Sequence, residues 1–174
     1  FSQFDYIGLK NHAMTATVHI APRKAKWFNL DFFNRRPVTP NFASHDYTTT
    51  LLDRWTIGTN LLETNISVKS ARQDVWAQGN QEMTLTPTGN SGNYFNEQDR
   101  NSSRVEWMEI LTLRPFNGWG VHNFKIGSDI TRTVNRGQFF ARPVNIRNTA
   151  GQLLQRIEFV GGAPYDRRDL EVSG

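Results

Sequence analysis

The stretch that decides the fold is residues 61–69, which read Leu-Leu-Glu-Thr-Asn-Ile-Ser-Val-Lys. Successive side chains of an extended strand point to opposite faces, so a period of two separates an apolar face from a polar one. The first face carries Leu62, Thr64, Ile66 and Val68, and the second carries Glu63, Asn65, Ser67 and Lys69. This pattern is typical of a soluble sheet packed on a core. It is equally typical of a transmembrane β-barrel with lipid outside and water inside.

The composition narrows the class of protein. The chain has 174 residues, of which 37% are hydrophobic, and its mean hydropathy of −0.57 is polar for one domain of this size. No apolar run approaches the ~18–20 residues of a transmembrane helix, which excludes helical membrane proteins and leaves barrels open. The chain begins at Phe1 with neither a Met nor a signal-peptide pattern, so we expect a mature, processed or partial chain.

Several chemistries have no support in the sequence. There are no cysteines, which excludes disulfides, thiolate zinc sites and cysteine nucleophiles. The net charge of +4 comes mostly from arginine and indicates a solvated surface, so no nucleic-acid partner is predicted. The four histidines lack metal-binding spacing, and no nucleophile elbow or phosphate loop is present. We therefore predict no catalytic, metal or cofactor site, and no enzyme.

The alternation recurs along the chain and predicts six strands. They cover residues 12–20, 46–56, 61–76, 104–114, 123–133 and 167–174. Residues 1–11 read as the end of an earlier strand followed by a turn. Pro22 is expected to end the strand that starts at residue 12, because proline cannot donate to a ladder. No helix pattern with caps occurs.

The connections between these strands alternate strictly in length. Long irregular stretches at about 21–45, 77–103 and 135–166 are separated by short turns at 58–60 and 115–120. The third stretch is expected to hold a hairpin of residues 143–147 with 153–159. All long loops then lie at one end of an antiparallel up-and-down sheet, as in outer-membrane barrels with long extracellular loops and short periplasmic turns. Tyr47 and Trp55 lie roughly 20 Å apart in height, near the ~25 Å spacing of aromatic girdles.

Particular stretches also resemble a known family. They are 37–42 (Pro-Val-Thr-Pro-Asn-Phe), 74–79 (Asp-Val-Trp-Ala-Gln-Gly), 89–96 (Gly-Asn-Ser-Gly-Asn-Tyr-Phe-Asn), 122–129 (His-Asn-Phe-Lys-Ile-Gly-Ser-Asp), 142–146 (Arg-Pro-Val-Asn-Ile) and 156–159 (Arg-Ile-Glu-Phe). They resemble the barrel of TonB-dependent receptors, in the subgroup that carries an N-terminal carboxypeptidase-regulatory-like domain. The resemblance covers essentially the whole chain.

The resemblance implies a 22-stranded transmembrane barrel in the bacterial outer membrane, with an internal plug. Such receptors import nutrients of the siderophore, cobalamin or glycan class, powered by the TonB complex. The implied partners are outer-membrane lipid, the plug domain, the TonB complex and a nutrient ligand. Neither a plug nor a TonB-binding box is recognisable, and six strands cannot close such a barrel. The chain is therefore expected to be a mid-barrel fragment that spans residues 1–174.

The long stretches hold the candidate ligand-contacting residues. Aromatic rings next to arginines could stack a sugar or aromatic ligand and hold an anion. The candidates are Trp27, Phe28, Phe32, Phe33, Arg35, Arg36, Tyr94 and Phe95. The alternative is that these rings pack the loops against each other.

Two further functions remain open at this point. A soluble all-β ligand-binding module of the carbohydrate-binding type would also present loops at one end. It would have to pack Leu62, Ile66 and Val68 against a second layer. A hydrolase on a β scaffold has no catalytic constellation to support it.

Overall fold

The strands of the main sheet are long. In the computed structural model, residues 1–160 and 162–174 are described, and Gly161, within the third predicted loop, lies outside the described residues. The strands are β1 (Ser2–Tyr6), β2 (His12–Ala25), β3 (Asn41–Ile57), β4 (Asn60–Trp76), β5 (Met83–Leu85), β6 (Asn96–Thr112), β7 (Phe116–Asn117), β8 (Val121–His122), β9 (Lys125–Ala141), β10 (Val144–Arg147), β11 (Leu153–Ile157) and β12 (Tyr165–Ser173). Within this described part, no helix is long and apolar enough to cross a membrane.

Seven strands form one antiparallel sheet in the order β1-β2-β3-β4-β6-β9-β12. Each strand pairs with the one that precedes it in this sheet, so the prediction of an all-β, up-and-down meander is confirmed. A smaller sheet has the order β11-β10-β5, and β7 pairs with β8. The predicted hairpin near Gly151 is confirmed as β10 and β11, and Gly58 takes the positive φ of 62° that its tight turn requires.

The predicted strand ends were wrong at the end of the sheet where the three long connections lie. The connections there are residues 26–40, 77–95 and 142–164, shorter than the predicted 21–45, 77–103 and 135–166. Pro22 does not end β2, which continues to Ala25 with Pro22 opposite His45. Pairing between β1 and β2 stops at Val18. One edge of β2 is therefore free beside Pro22, where no ladder bond needs a proline N–H.

The predicted short turn at residues 115–120 was also too short. The connection between β6 and β9 spans residues 113–124 and contains the small hairpin of β7 and β8. Together with residues 7–11 and 58–59, it lies at the end of the sheet opposite the long loops. This end is called the short-turn end, and the other the long-loop end.

The register places the alternating residues on two distinct faces, because directly paired residues share a face. Ile66 lies opposite Leu51 on β3 and Trp107 on β6, and Trp107 lies opposite Ile130 on β9. The apolar face is defined by these residues and their row neighbours: Ala16, Val18, Leu51, Trp55, Leu62, Ile66, Val68, Val105, Trp107, Leu111, Ile126, Ile130, Leu170 and Val172. The polar face carries residues such as Thr17, Thr50, Glu63, Ser67, Lys69, Glu106, Lys125, Asp129 and Glu171.

Nothing among the described residues covers the apolar face. Every strand-to-strand contact joins hydrogen-bonded neighbours within a sheet, and no second layer of strands packs on the seven-stranded sheet. Ile66 and Val68 are each 39% exposed, and Trp107 is 47% exposed. A sandwich would bury these side chains between two layers, so the described sheet lacks the arrangement that a soluble module of this kind requires.

Three charged side chains interrupt the apolar face. Arg132 lies between Val105 and Leu170 and is exposed. The other two are carboxylates near the short-turn end, and both have partners. Nδ1 of His12 lies 2.9 Å from Oδ2 of Asp53, and the His12 ring stacks on Trp55. Oε1 of Glu109 accepts hydrogen bonds from Thr64 Oγ1 at 3.0 Å and from Trp107 Nε1 at 3.2 Å. These bonds lower the cost of placing polar groups on an otherwise apolar surface.

Candidate functional site

The long loops form a compact cluster with its own small core. The segments 26–40, 77–95 and 142–164 all leave the sheet at the long-loop end, because each joins strands that point to and from that end. Among the described residues, the buried hydrophobic side chains are Val38, Met83 and Val144, one from each segment. Leu85, Phe95 and Ile157 pack against them. The buried hydrophobic core of the described residues therefore lies in the loops, whereas the apolar face of the large sheet is exposed.

Backbone pairing joins two of the segments directly. β5, from the segment 77–95, pairs in parallel with β10, from the segment 142–164, so that Met83 lies opposite Val144. Gly92 makes a sharp turn near β5 with a φ of 83°, and a Cβ at this position would lie 2.0 Å from the carbonyl oxygen of Glu82. Only glycine satisfies both conditions.

Side-chain amides tie the first segment to the second. Asn93 is buried, and its Nδ2 donates to the carbonyl of Pro37 at 2.9 Å while its Oδ1 accepts from the backbone N–H of Gln81 at 2.9 Å. Nε2 of Gln78 donates to the carbonyl of Thr39 at 2.7 Å and also bonds the carbonyl of Arg36. The buried amide of Asn93, with both polar atoms bonded, and the exposed amide of Gln78 together fix the relative position of the two segments.

Ion pairs tie the third segment to the second. Arg156 on β11 donates to both carboxylate oxygens of Glu82, with an Nη2–Oε1 distance of 2.7 Å, and Asn145 donates to Glu82 Oε2 at 2.9 Å. The hydrogen bond from Arg156, and then that from Asn145, lower the pKa of Glu82 below its ordinary value of 4.5. A further ion pair ties the third segment to the sheet, because Arg142 Nη1 donates to Oε1 of Glu97 on β6 at 2.7 Å. The bidentate geometry at Glu82 adds directional specificity to the attraction.

The structure places three of the eight candidate ligand residues in contacts within the loops. Trp27 donates from Nε1 to Gln78 Oε1 at 3.1 Å, and the guanidinium of Arg36 lies 4.4 Å from the Trp27 ring centroid. Phe95 is half-buried and stacks on Phe159 with centroids 5.3 Å apart. For Trp27, Arg36 and Phe95, loop packing accounts for the residue type.

The remaining candidates are more available to a ligand. Phe32 and Phe33 are exposed and meet edge to face, and Arg35 is exposed beside them. Phe28 stacks on Phe42 with centroids 5.2 Å apart, yet keeps 42% of its surface exposed. Tyr94 is half-buried against Phe95.

A cavity of about 200 Å³ brings Phe28 and Tyr94 together across the first two segments. Its walls combine these two rings with the side chains of Val38 and Met83, and with the amides of Asn29 and Asn34. Apolar walls with a few amide groups suit binding of a neutral or weakly polar group. Phe32, Phe33, Arg35 and Arg36 do not line this cavity, so the sequence grouping of all eight residues into one site is only partly reproduced.

Sequence reasoning missed the residues that hold the loops together. These residues are Gln78, Glu82, Asn93, Arg142 and Arg156. All but Glu82 lie in the stretches that carry the resemblance described above, yet no periodicity distinguishes any of the five from solvated polar residues. Glu82 and Arg156 lie 74 positions apart. Oppositely charged residues separated by so many positions leave no periodic signal in the sequence, so the pairing is seen only in the folded structure.

The comparisons with known proteins concern the fold. No protein-family model matches the chain, and no curated protein matches it. Among solved structures, it is similar to the outer membrane transporter YddB from Escherichia coli, with a TM-score of 0.57 and 12% sequence identity. The similarity covers 98% of this chain and 24% of the transporter chain. The chain is therefore all-β, with the antiparallel meander of part of a membrane-barrel transporter, and it spans about a quarter of the length of that protein.

Proposed function

We propose that this chain forms part of the wall and the extracellular loops of an outer-membrane barrel of the TonB-dependent receptor class, which takes up a nutrient across the outer membrane. The observation that carries the proposal is the uncovered apolar face of the seven-stranded sheet. An apolar surface of this extent is abnormal on a soluble monomer. In a bilayer it is the expected outer surface of a barrel, with the polar face turned to a water-filled interior.

The two ends of the sheet support the orientation. The central strands have 17 residues, whereas a membrane strand needs about 9–11. On β4 the apolar alternation occupies Leu62 to Val68, next to the short-turn end, and Lys69 to Asp74 is polar on both faces. The polar half therefore projects beyond the bilayer, and it carries the long loops into the external medium.

The open edges of the sheet support a larger barrel. Within the described chain, β1 pairs only with β2, and β12 pairs only with β9, so each has an unpaired outer edge. Unpaired backbone groups at an edge do not occur in lipid. Further strands of the same protein would complete the 22-stranded wall, a plug domain would fill its interior, and the TonB complex would supply energy.

The loop cluster supports a role in binding the transported nutrient. Three segments locked by a shared core and by ion pairs form a preorganised surface above the barrel opening. The cavity between Phe28 and Tyr94 lies within this cluster, and the exposed pair Phe32 and Phe33 directly precedes Asn34, which lines it. These residues would contact the nutrient before it enters the barrel.

Two single-cysteine variants test the membrane assignment. The chain contains no cysteine, so Ile66→Cys and Ser67→Cys each place one unique thiol in this segment of the intact protein. We expect Ile66→Cys, in native outer membranes, to resist a water-soluble maleimide and to react with a lipid-soluble one. Ser67→Cys, one residue away on the polar face, should react with the water-soluble reagent. Equal water accessibility at both positions would contradict the proposal.

A further inference from the structure

The polar face of the large sheet carries two bands of opposite charge. Directly paired residues share a face, so each row across the strands can be followed from β4. The basic band consists of the rows through residues 69, 71 and 73 of β4, and the acidic band consists of the rows through residues 63, 65 and 67. β4 begins at the short-turn end and ends at the long-loop end. The basic band is therefore the part of the polar face nearer the long loops.

Charged side chains of one sign dominate each band among the described residues. The basic band contains five cations and two carboxylates, which are Arg23, Lys69, Arg100, Arg104 and Arg167 against Asp46 and Asp169. The acidic band contains five carboxylates and one cation, which are Asp5, Glu63, Glu106, Asp129 and Glu171 against Arg54. Lys125 lies one row beyond the acidic band, beside the short-turn end. The polar face is therefore positive towards the long loops and negative towards the short turns.

The cations of the basic band are only partly neutralised. Arg104 pairs with Glu106 at 3.0 Å, and Arg167 pairs with Asp169 at 3.0 Å. The other three, Arg23, Lys69 and Arg100, are exposed and form no ion pair within the described part of the chain. Lys69 also lies directly opposite Arg104, and like charges in this position destabilise a sheet. An anion bound beside them would remove that cost.

The opposite face of the same strands has its arginines paired. In the rows that alternate with those of the basic band, Arg72 pairs with Asp74 at 3.2 Å, Arg136 with Asp166 at 3.1 Å and Arg168 with Asp166 at 2.9 Å. Unpaired cations therefore do not simply follow from the polar composition of this half of the sheet. They are a feature of the face that the proposed barrel turns to its interior.

The positive charge continues from the basic band into the long loops. The segments 26–40, 77–95 and 142–164 contain six lysine or arginine residues and three aspartate or glutamate residues. A cleft lined by charge of one sign concentrates counter-ions and speeds their association. The cavity at Phe28 and Tyr94 suits an uncharged group, so recognition of charge falls to the basic band below it.

We propose that the basic band is an anion-binding surface on the barrel interior, and that the transported nutrient carries oxyanion groups, carboxylate or phosphate, that bind there after passing the long loops. Arginine binds such groups through two parallel hydrogen bonds, and lysine binds them as a point charge. Arg23, Lys69 and Arg100 supply donors that no carboxylate of the described chain occupies. This inference rests on the proposed function, since it requires the polar face to line a barrel.

Thiol reagents of opposite charge measure the sign of the potential in the intact protein. Gln73→Cys places a thiol in the basic band, in the row that holds Arg23 and Arg100, and Ser173→Cys places one in the acidic band opposite Asp129. Each is labelled with sulfonatoethyl and with trimethylammonioethyl methanethiosulfonate, and the ratio of the two rates is divided by the ratio for 2-mercaptoethanol. A potential of one kT concentrates the anion and depletes the cation, so the ratio at 73 should be about sevenfold or more. The ratio at 173 should be below one.

Charge variants connect this potential to the basic band. Lys69→Gln combined with Arg100→Gln should lower the ratio at 73 several-fold, roughly by the loss of one kT of potential. Neither cation has a carboxylate partner among the described residues, so their replacement leaves no acid unpaired. Arg136→Gln, on the opposite face, is the control, because Asp166 keeps Arg168 as its partner. Citrate and inorganic pyrophosphate should each slow labelling of the thiol at 73 by uncharged N-ethylmaleimide, and the double variant should abolish the slowing.

Three results would overturn the anion-binding surface. They are equal ratios at 73 and 173, labelling at 73 that neither citrate nor pyrophosphate slows, and a thiol at 73 closed to every reagent, because the plug domain would then cover the band. Each of them leaves the barrel wall in place if Ile66→Cys still resists the water-soluble maleimide. Reaction of Ile66→Cys with that reagent, at the rate of Ser67→Cys, would remove the proposed function itself.

Discussion

Replacing Ile66 by arginine places a charge at the middle of the proposed membrane band. Ile66 lies opposite Leu51, which is four residues from Trp55 and four from Tyr47 on the same strand. Four residues at ~3.3 Å each, tilted by ~40°, correspond to about 10 Å of height from each aromatic. The penalty for arginine should therefore be near its midplane value of about 2–4 kcal/mol. This corresponds to roughly 30- to 1,000-fold in the folding equilibrium.

Two matched arginine variants on the same strand serve as controls for the free-energy cost expected of Ile66→Arg. Ser70 lies opposite Tyr47 at the edge of the band, so Ser70→Arg should cost only about 0–1 kcal/mol. Ser67 lies on the polar face opposite Glu106, which already pairs with Arg104 at 3.0 Å. A new arginine there stays on the water-facing side, so Ser67→Arg should change the folding free energy little. Asn65 is a poorer control, because it lies between Leu52 and Met108 and its Oδ1 is already buried without a partner.

The assay is the equilibrium folding of the intact protein into lipid bilayers across a urea series, with the folded fraction measured by heat-modifiable migration on a gel. The free energies should rank Ile66→Arg as the most costly, then Ser70→Arg, then Ser67→Arg. A cost at Ser67 equal to that at Ile66 would refute the assignment of faces. Equal costs at Ile66 and Ser70 would refute the assignment of depth.

Three further predictions concern the loop cluster. Gly92→Ala should destabilise the loops by more than about 1 kcal/mol, because the new Cβ meets the Glu82 carbonyl at 2.0 Å in a left-handed conformation; limited proteolysis of the loops at the wild-type rate would contradict this. Because the folded pKa of Glu82 is lowered, its contribution to loop stability is present above pH 4.5 and is lost as the pH falls through the lowered pKa. Glu82→Gln should therefore raise protease sensitivity at pH 7 and flatten its pH dependence, with Arg156 left unpaired. Phe28→Ala should weaken nutrient binding by about tenfold, since it removes one aromatic wall of the cavity, and Phe32→Ala outside the cavity should weaken it less; equal losses in a binding titration would place the site elsewhere.

The sequence by itself determined the fold class and the two faces of the sheet. The alternation at residues 61–69 was enough to separate Ile66 and Val68 from Asn65 and Ser67, and the register observed for β4 keeps that separation. The physical reason is local. Side-chain direction in a strand has a fixed period of two. Where the two faces of a sheet meet different environments, apolar and polar residues therefore alternate along the sequence.

The hydrophobic pattern of the sequence did not predict strand residues where both faces of a strand are polar. Residues 96–103 read as part of a loop, yet they form the first half of β6. Residues 96–103 are polar at every position, so no alternation of hydrophobicity marks the strand. The ladder there is set by the neighbouring strands, which continue in register from the apolar half.

Only the tertiary structure decided the arrangement of the long loops. Val38, Met83 and Val144 are single apolar residues in irregular or short segments, and none predicts a core by itself. The parallel pairing of β5 with β10 and the contact between Glu82 and Arg156 join residues more than sixty positions apart. Such contacts form because the sheet delivers three chain segments to one end, where they can bury one another. The sequence determined the seven-stranded sheet through local periodicity, and the tertiary structure decided the arrangement of the loops through long-range packing.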